Sequence, residues 1–138
     1  MRRILLTVLL LSVLTAAAMA VYVLNELMVS PREAYASDWT AAFIIEHIRT
    51  SDVWPSKWED LKDEYDRLAA PEHYAWTFQE LQTLVSINWD TSVAAIQESA
   101  TPPDNVQLTS GRNVSYNGDP DVLVYEFVHT GKIPYSFR

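Results

Sequence analysis

The sequence predicts an α+β protein: an N-terminal transmembrane helix, an amphipathic helix, short helices and a small antiparallel sheet. Three observations predict it. Ile4 to Leu24 carries no charge. Apolar side chains then recur with helical spacing from Pro31 to Thr50. Val85 to Trp89 alternates apolar and polar residues, as a half-buried strand does.

The uncharged run is long enough, at about 1.5 Å per helical residue, to cross the roughly 30 Å hydrocarbon core of a bilayer. Lipid offers the backbone no hydrogen bonds, so such a segment enters as a helix. Arg2 and Arg3 precede it, which predicts a cytoplasmic N-terminus and an exported remainder. Ala18-Met19-Ala20 also matches a signal-peptidase pattern, and cleavage there would leave Val21 first. The apolar run continues past Ala20 and exceeds a signal core, which favours a retained anchor with Tyr22 at the outer headgroups. No cysteine follows, so a lipoprotein anchor is excluded. Residues 1–24 are thus an anchor or signal segment, and residues 25–138 suffice for a single small extracytoplasmic α+β domain.

Asn25 to Ser30 reads as a connector, with Ser30 as N-cap and Pro31 in the first helical turn. In the helix that follows, Ala41, Ile44, Ile45 and Ile48 share a face, widened by Tyr35, Trp39 and Phe43. Glu33, Asp38, Glu46 and Arg49 are expected to stay wet. Pro55 ends this helix. Ser56-Lys57-Trp58-Glu59 reads as a capping box opening a helix to Leu68. Its apolar face is Trp58, Leu61, Tyr65 and Leu68, with Glu59, Asp60, Asp63, Glu64 and Asp66 opposite. Residues 69–76 form a loop broken by Pro71. Thr77 to Glu80 is a second capping box, opening a helix to Leu84 that leads into the strand 85–89. Asp90 is expected to cap a helix over 91–99, and Thr101 to Asp104 forms a rigid linker. Strands over 105–109 and 113–116 are expected to meet at Ser110-Gly111. Residues 122–128 have strand composition, yet Asp119-Pro120 opens a helix and Gly131 closes one. Pro120, Leu123, Val124, Phe127 and Val128 also follow helical spacing, so helix is favoured there.

After the apolar run the chain holds 18 acidic and 8 basic side chains, which opposes binding to nucleic acid or an anionic lipid surface. The absence of cysteine removes disulfides, thiolate metal sites and thiol nucleophiles. Five Trp, seven Tyr and four Phe supply the core that such a domain must rely on.

The apolar helix running into an amphipathic one, followed by Asp52-Val53-Trp54-Pro55-Ser56-Lys57-Trp58-Glu59-Asp60-Leu61, resembles the plan of bacterial type IV pilins and pseudopilins. It is also similar to small single-pass envelope proteins of planctomycete-type bacteria. The pilin likeness implies helix packing through the span and a small antiparallel sheet after the turn. The chain departs from that family in lacking the Gly and Phe-Thr-Leu-x-Glu start of pilin precursors.

For chemistry, His47, His73 and His129 have no metal-ligand spacing, and Glu46-His47 does not form H-E-x-x-H. They are expected at the surface or its boundary. The acidic side of the helix before Leu68 spreads its carboxylates too far along the axis to converge on calcium. Asp104, Asp119 and Asp121 could pair as acid and base, but aspartates near turns more often cap and shape them. Ser110-Gly111 lacks the pattern of a nucleophile elbow. No catalytic, cofactor-binding or metal residue is therefore expected. Trp54 and Trp58 flank Pro55 and are candidates for partner contact, or else for plugging a helix corner.

The function these features predict is a membrane-anchored, non-catalytic interaction module in an envelope assembly. It would sit in the inner membrane through residues 4–24, with an envelope protein as partner. The alternatives are a pseudopilin-like subunit and a secreted domain released after Ala20.

Overall fold

The structure is a computed structural model that describes residues 2–72 and 76–134. Helix α1 covers Arg2–Ser51. A 3-10 turn at Trp58–Leu61 leads into α2, Lys62–Leu68, and a second at Ala70–Glu72 holds Pro71. Then come α3 (Phe78–Leu84), β1 (Val85–Ile87), α4 (Val93–Glu98), β2 (Val106–Leu108) and α5 (Pro120–Thr130). The mixed helical and antiparallel architecture is the one expected. Contacts divide the chain into two units, residues 1–31 and 32–138.

The first unit contains the candidate span, Thr7–Asn25, with mean hydropathy 2.3 and no part buried. Its hydroxyls turn inward: Ser12 Oγ donates to Leu9 O and Thr15 Oγ1 to Leu11 O, each at 2.8 Å. That is how a polar side chain is satisfied where no water can reach it. The expected connector at 25–30 is helical instead, and Pro31 lies inside α1. Pro31 has no N–H for the preceding turn, but helix-favouring sequence on both sides outweighs one missing bond.

In the second unit, residues 32–51 of α1 keep Arg49 exposed as expected, but part of the expected wet face is covered. Glu33, Ala34, Ala36 to Ile45 and Ile48 are all buried. Glu33 and Asp38 are each only 5 % exposed, so their expected exposure is corrected. Each has a specific reason to be inside. Asp38 accepts from the backbone N–H groups of Tyr116 and Asn117 and, at 3.0 Å, from Asn117 Nδ2. Burial still raises its pKa, with those three donors pulling the other way. Glu33 Oε2 faces Arg112 Nη1 at 3.6 Å, and Thr40 donates to Ala36 O. The helix ends at Asp52, whose φ of 61° is the left-handed turn that frees its N–H for Ile48 O.

The Ser56 box forms differently from the expected one. Asp60, not Glu59, closes it, taking both the N–H and the hydroxyl of Ser56 at 2.8 Å. The first turn is accordingly 3-10, and the α-helix starts at Lys62. Of the face expected to be wet, Glu64 is buried. The Thr77 box forms as expected, with Thr77 Oγ1 accepting from Glu80 N and Glu80 Oε2 from Thr77 N. The next short helix is capped by Ser92, not Asp90, and spans six residues. Asp119 and the left-handed Gly131 bound α5 as expected.

β1 and β2 pair antiparallel, Val85 with Leu108 and Ile87 with Val106. The expected hairpin between 105–109 and 113–116 is corrected: β2 pairs back to β1, and 113–116 is not a strand. The core joins Phe43, Ile44, Ile45, Leu61, Trp76, Leu81, Val85, Ile96 and Phe127.

Phe43 is fully enclosed. Phe43→Ala should therefore lower the unfolding free energy of the detergent-solubilised chain by about 3–5 kcal/mol in a urea titration. Thr77→Ala, which removes one exposed cap, should cost only about 1 kcal/mol.

Candidate functional site

A cleft of the 32–138 unit has a volume of about 280 Å³. Its walls are β2, the segment 111–114 and the first turn of α5, with Ser37 of α1 at its base. The α1 clasp shapes it: Asp38 holds 116–117 and Glu33 faces Arg112, which together fix the segment between β2 and α5. Gln107, Asn113 and Arg112 add donors, while Val106, Leu108 and Val114 add apolar surface. A smaller hollow of about 140 Å³ lies beside Ser86, Asn88, Asn105 and Gln107 and shares Asp104 with the first.

All three aspartates singled out in the sequence line the larger cleft. Two of them already have structural work. Asp119 Oδ1 accepts from Asp121 N at 2.9 Å and Val122 N at 3.4 Å, the N-cap of α5. Asp121 Oδ1 accepts from Asn105 N at 2.9 Å and Val106 N at 3.1 Å, tying α5 to the start of β2. Burial pushes the Asp121 carboxyl up to about 7. The two backbone donors oppose that rise, and the nearby charges of Asp119 and Asp104 reinforce it. The sequence showed these residues near turns but gave no sign that 104, 119 and 121 converge, because convergence depends on β2 pairing with β1.

Trp54 and Trp58, candidates for partner contact or for plugging a helix corner, both make packing contacts. Trp54 is 8 % exposed, and its indole N–H donates to Asn88 O at 3.0 Å. Trp58 is half-buried and meets Phe78 and Trp89 edge-on, with ring centroids 6.0 and 5.7 Å away. Among the described residues, Tyr35 and Tyr116 form an aromatic pair at the surface, centroids 4.8 Å apart and both rings exposed. Their separation in sequence hid this pairing.

His47 lies at the boundary, facing buried Glu64, and His129 is exposed with Nδ1 2.9 Å from Tyr125 O. His73 lies outside the described residues. Among the described residues no three His, Asp or Glu side chains are grouped so as to hold a metal ion. What the cleft offers chemically is reversible hydrogen bonding and a mostly acidic field. The chain matches no protein-family model, curated protein or solved structure.

Because the folded-state pKa of Asp121 lies above its unfolded value, its contribution to stability is full below about pH 4. That contribution is lost as pH rises toward 7. Asp121→Asn keeps an acceptor for both N–H groups and removes the titration. Thermal melts from pH 4 to 8 should show the wild type losing stability relative to this variant up to about pH 7, then running parallel.

Proposed function

We propose that the protein is a single-pass, membrane-anchored interaction module of a bacterial envelope, non-catalytic, with residues 32–138 on the outer side. The observation that carries this reading is the 19-residue Thr7–Asn25 segment, apolar and wholly uncovered, joined to a separately packed unit. An uncovered apolar helix of that length gains most by entering lipid. The acidic surplus after the span suits a module that stays off anionic headgroups and meets a protein partner instead. The cleft beside Asp119 and Asp121 is the polar concavity such a partner, or a small polar ligand, would use.

The experiment is intact mass of the membrane-extracted chain, combined with protease accessibility in spheroplasts. Retention of Met1 to Ala20, resistance to carbonate extraction and cleavage of the domain from outside are the expected results. A mass beginning at Val21 in the soluble fraction would replace the anchored module with a released one.

One observation favours a second reading, a pseudopilin-like subunit: helix α1 covers Arg2–Ser51 with Pro31 inside it. Helix-to-helix packing through the span would then follow. The chain is free of cysteine, so Leu9→Cys or Val13→Cys gives a clean probe. Oxidation in membranes yielding a cross-linked dimer at one of these sites supports that reading, and monomer at both removes it.

A further inference from the structure

We propose that Asn117 is a site of spontaneous deamidation, and that the reaction releases the segment between β2 and α5 from α1. Asn117 precedes Gly118, and glycine carries no side chain to shield its own backbone nitrogen from the asparagine before it. Both residues are exposed. Gly118 has a φ of 115°, and apart from its chain neighbours a Cβ at this position would touch only Leu123 Cδ2, at 3.8 Å. The other asparagines, Asn25, Asn88, Asn105 and Asn113, are each followed by a larger side chain.

The reaction needs water and no other co-reactant. The Gly118 nitrogen attacks Asn117 Cγ, so a Gly118 N–Cγ bond forms as the Cγ–Nδ2 bond breaks. The proton lost by the Gly118 N–H leaves with Nδ2 as ammonia. Water then adds to either carbonyl carbon of the five-membered imide, leaving aspartate or isoaspartate at position 117. Nothing is oxidised or reduced.

In the folded chain Asp38 restrains this chemistry. Asn117 Nδ2 donates to Asp38 Oδ2 at 3.0 Å, and the backbone N–H groups of Tyr116 and Asn117 reach the same oxygen at 3.1 and 3.2 Å. The amide must leave that bond before Cγ can turn toward Gly118. A carboxylate beside it also disfavours the anion formed in the attack. The reaction therefore runs through local opening of residues 116–117. Its product cannot restore the clasp. Either form puts a carboxylate, an acceptor without donors, where Asp38 had the Nδ2–H, and two carboxylates at hydrogen-bond distance repel. The isoaspartate form also lengthens the main chain by a carbon atom. Release of 116–117 loosens the 111–114 wall of the cleft and parts Tyr116 from Tyr35. The inference stands apart from the anchored reading of the domain.

The test follows the full chain at mildly alkaline pH, folded in detergent and unfolded in urea. Peptide mapping by mass spectrometry separates asparagine, aspartate and isoaspartate at position 117. In urea Asn117 should convert ahead of the other asparagines, and folding should slow its conversion by at least about tenfold. In hydrogen exchange, Asn117→Asp should lower protection of the 116 and 117 amides, relative to α5, by about tenfold. Asn117→Ala, which drops the donor without adding charge, should lower it less. The proposal is overturned if another asparagine leads in urea, or if Asn117 converts as fast folded as unfolded. It is equally overturned if Asn117 stays intact in the folded chain after on the order of a hundred of the half-lives measured in urea, or if Asn117→Asp loses no more protection than Asn117→Ala.

Discussion

The enclosure of α1 between Glu33 and Ile45 is the constraint on which the rest of the domain depends. A helix wrapped on nearly all sides cannot leave its polar groups to water, so they find partners within the protein. Asp38 finds the backbone of 116–117, Glu33 finds Arg112, and Thr40 returns to its own helix. The small side chains Ala34, Ala36, Ser37, Ala41 and Ala42 allow neighbouring segments to approach closely enough for this. The segment between β2 and α5 is therefore held by the buried acids of α1, and the cleft exists because that segment is held.

That constraint also explains which parts of the fold were legible in sequence. Elements fixed by local chemistry could be read directly: the Thr77–Glu80 box, the Asp119 and Gly131 ends of α5, and the Val85–Ile87 strand. α5 was informative because its caps and spacing outweighed a β-rich composition. Elements fixed by tertiary partners could not be read. Glu33, Asp38 and Glu64 look like members of a wet face, since nothing local reveals that another segment will cover them. The β2 pairing was missed for a related reason: a hairpin with the next segment is the shorter route, but 113–116 is drawn instead toward Asp38.

The candidate site was legible residue by residue and not as a place. Asp104, Asp119 and Asp121 were visible near turns, whereas their common cleft depends on the β1–β2 register and on the α1 clasp. Trp54 and Trp58 show the reverse. They stood out as a pair around Pro55, and their surroundings draw them into packing, Trp54 through its bond to Asn88 and Trp58 through Phe78 and Trp89. The exposed aromatic pair, Tyr35 with Tyr116, joins residues from distant parts of the chain, which only the fold could reveal.

The short sheet has a further consequence through its end at residue 105. Continuing the antiparallel register would give the Asn105 N–H to Asn88 O, beside the Asn88 N–H that already reaches Asn105 O. Trp54 instead occupies that carbonyl, and Asp121 takes the N–H of Asn105 together with that of Val106. The Val106 N–H is one that a visiting strand would need along the outer edge of β2. A carboxyl side chain thus acts as a stopper on a sheet margin that would otherwise template pairing with another chain. Strand addition along this margin would have to forgo the Val106 N–H. On the β2 side, this small sheet in a disulfide-free domain is in this way guarded against joining a neighbour edge to edge.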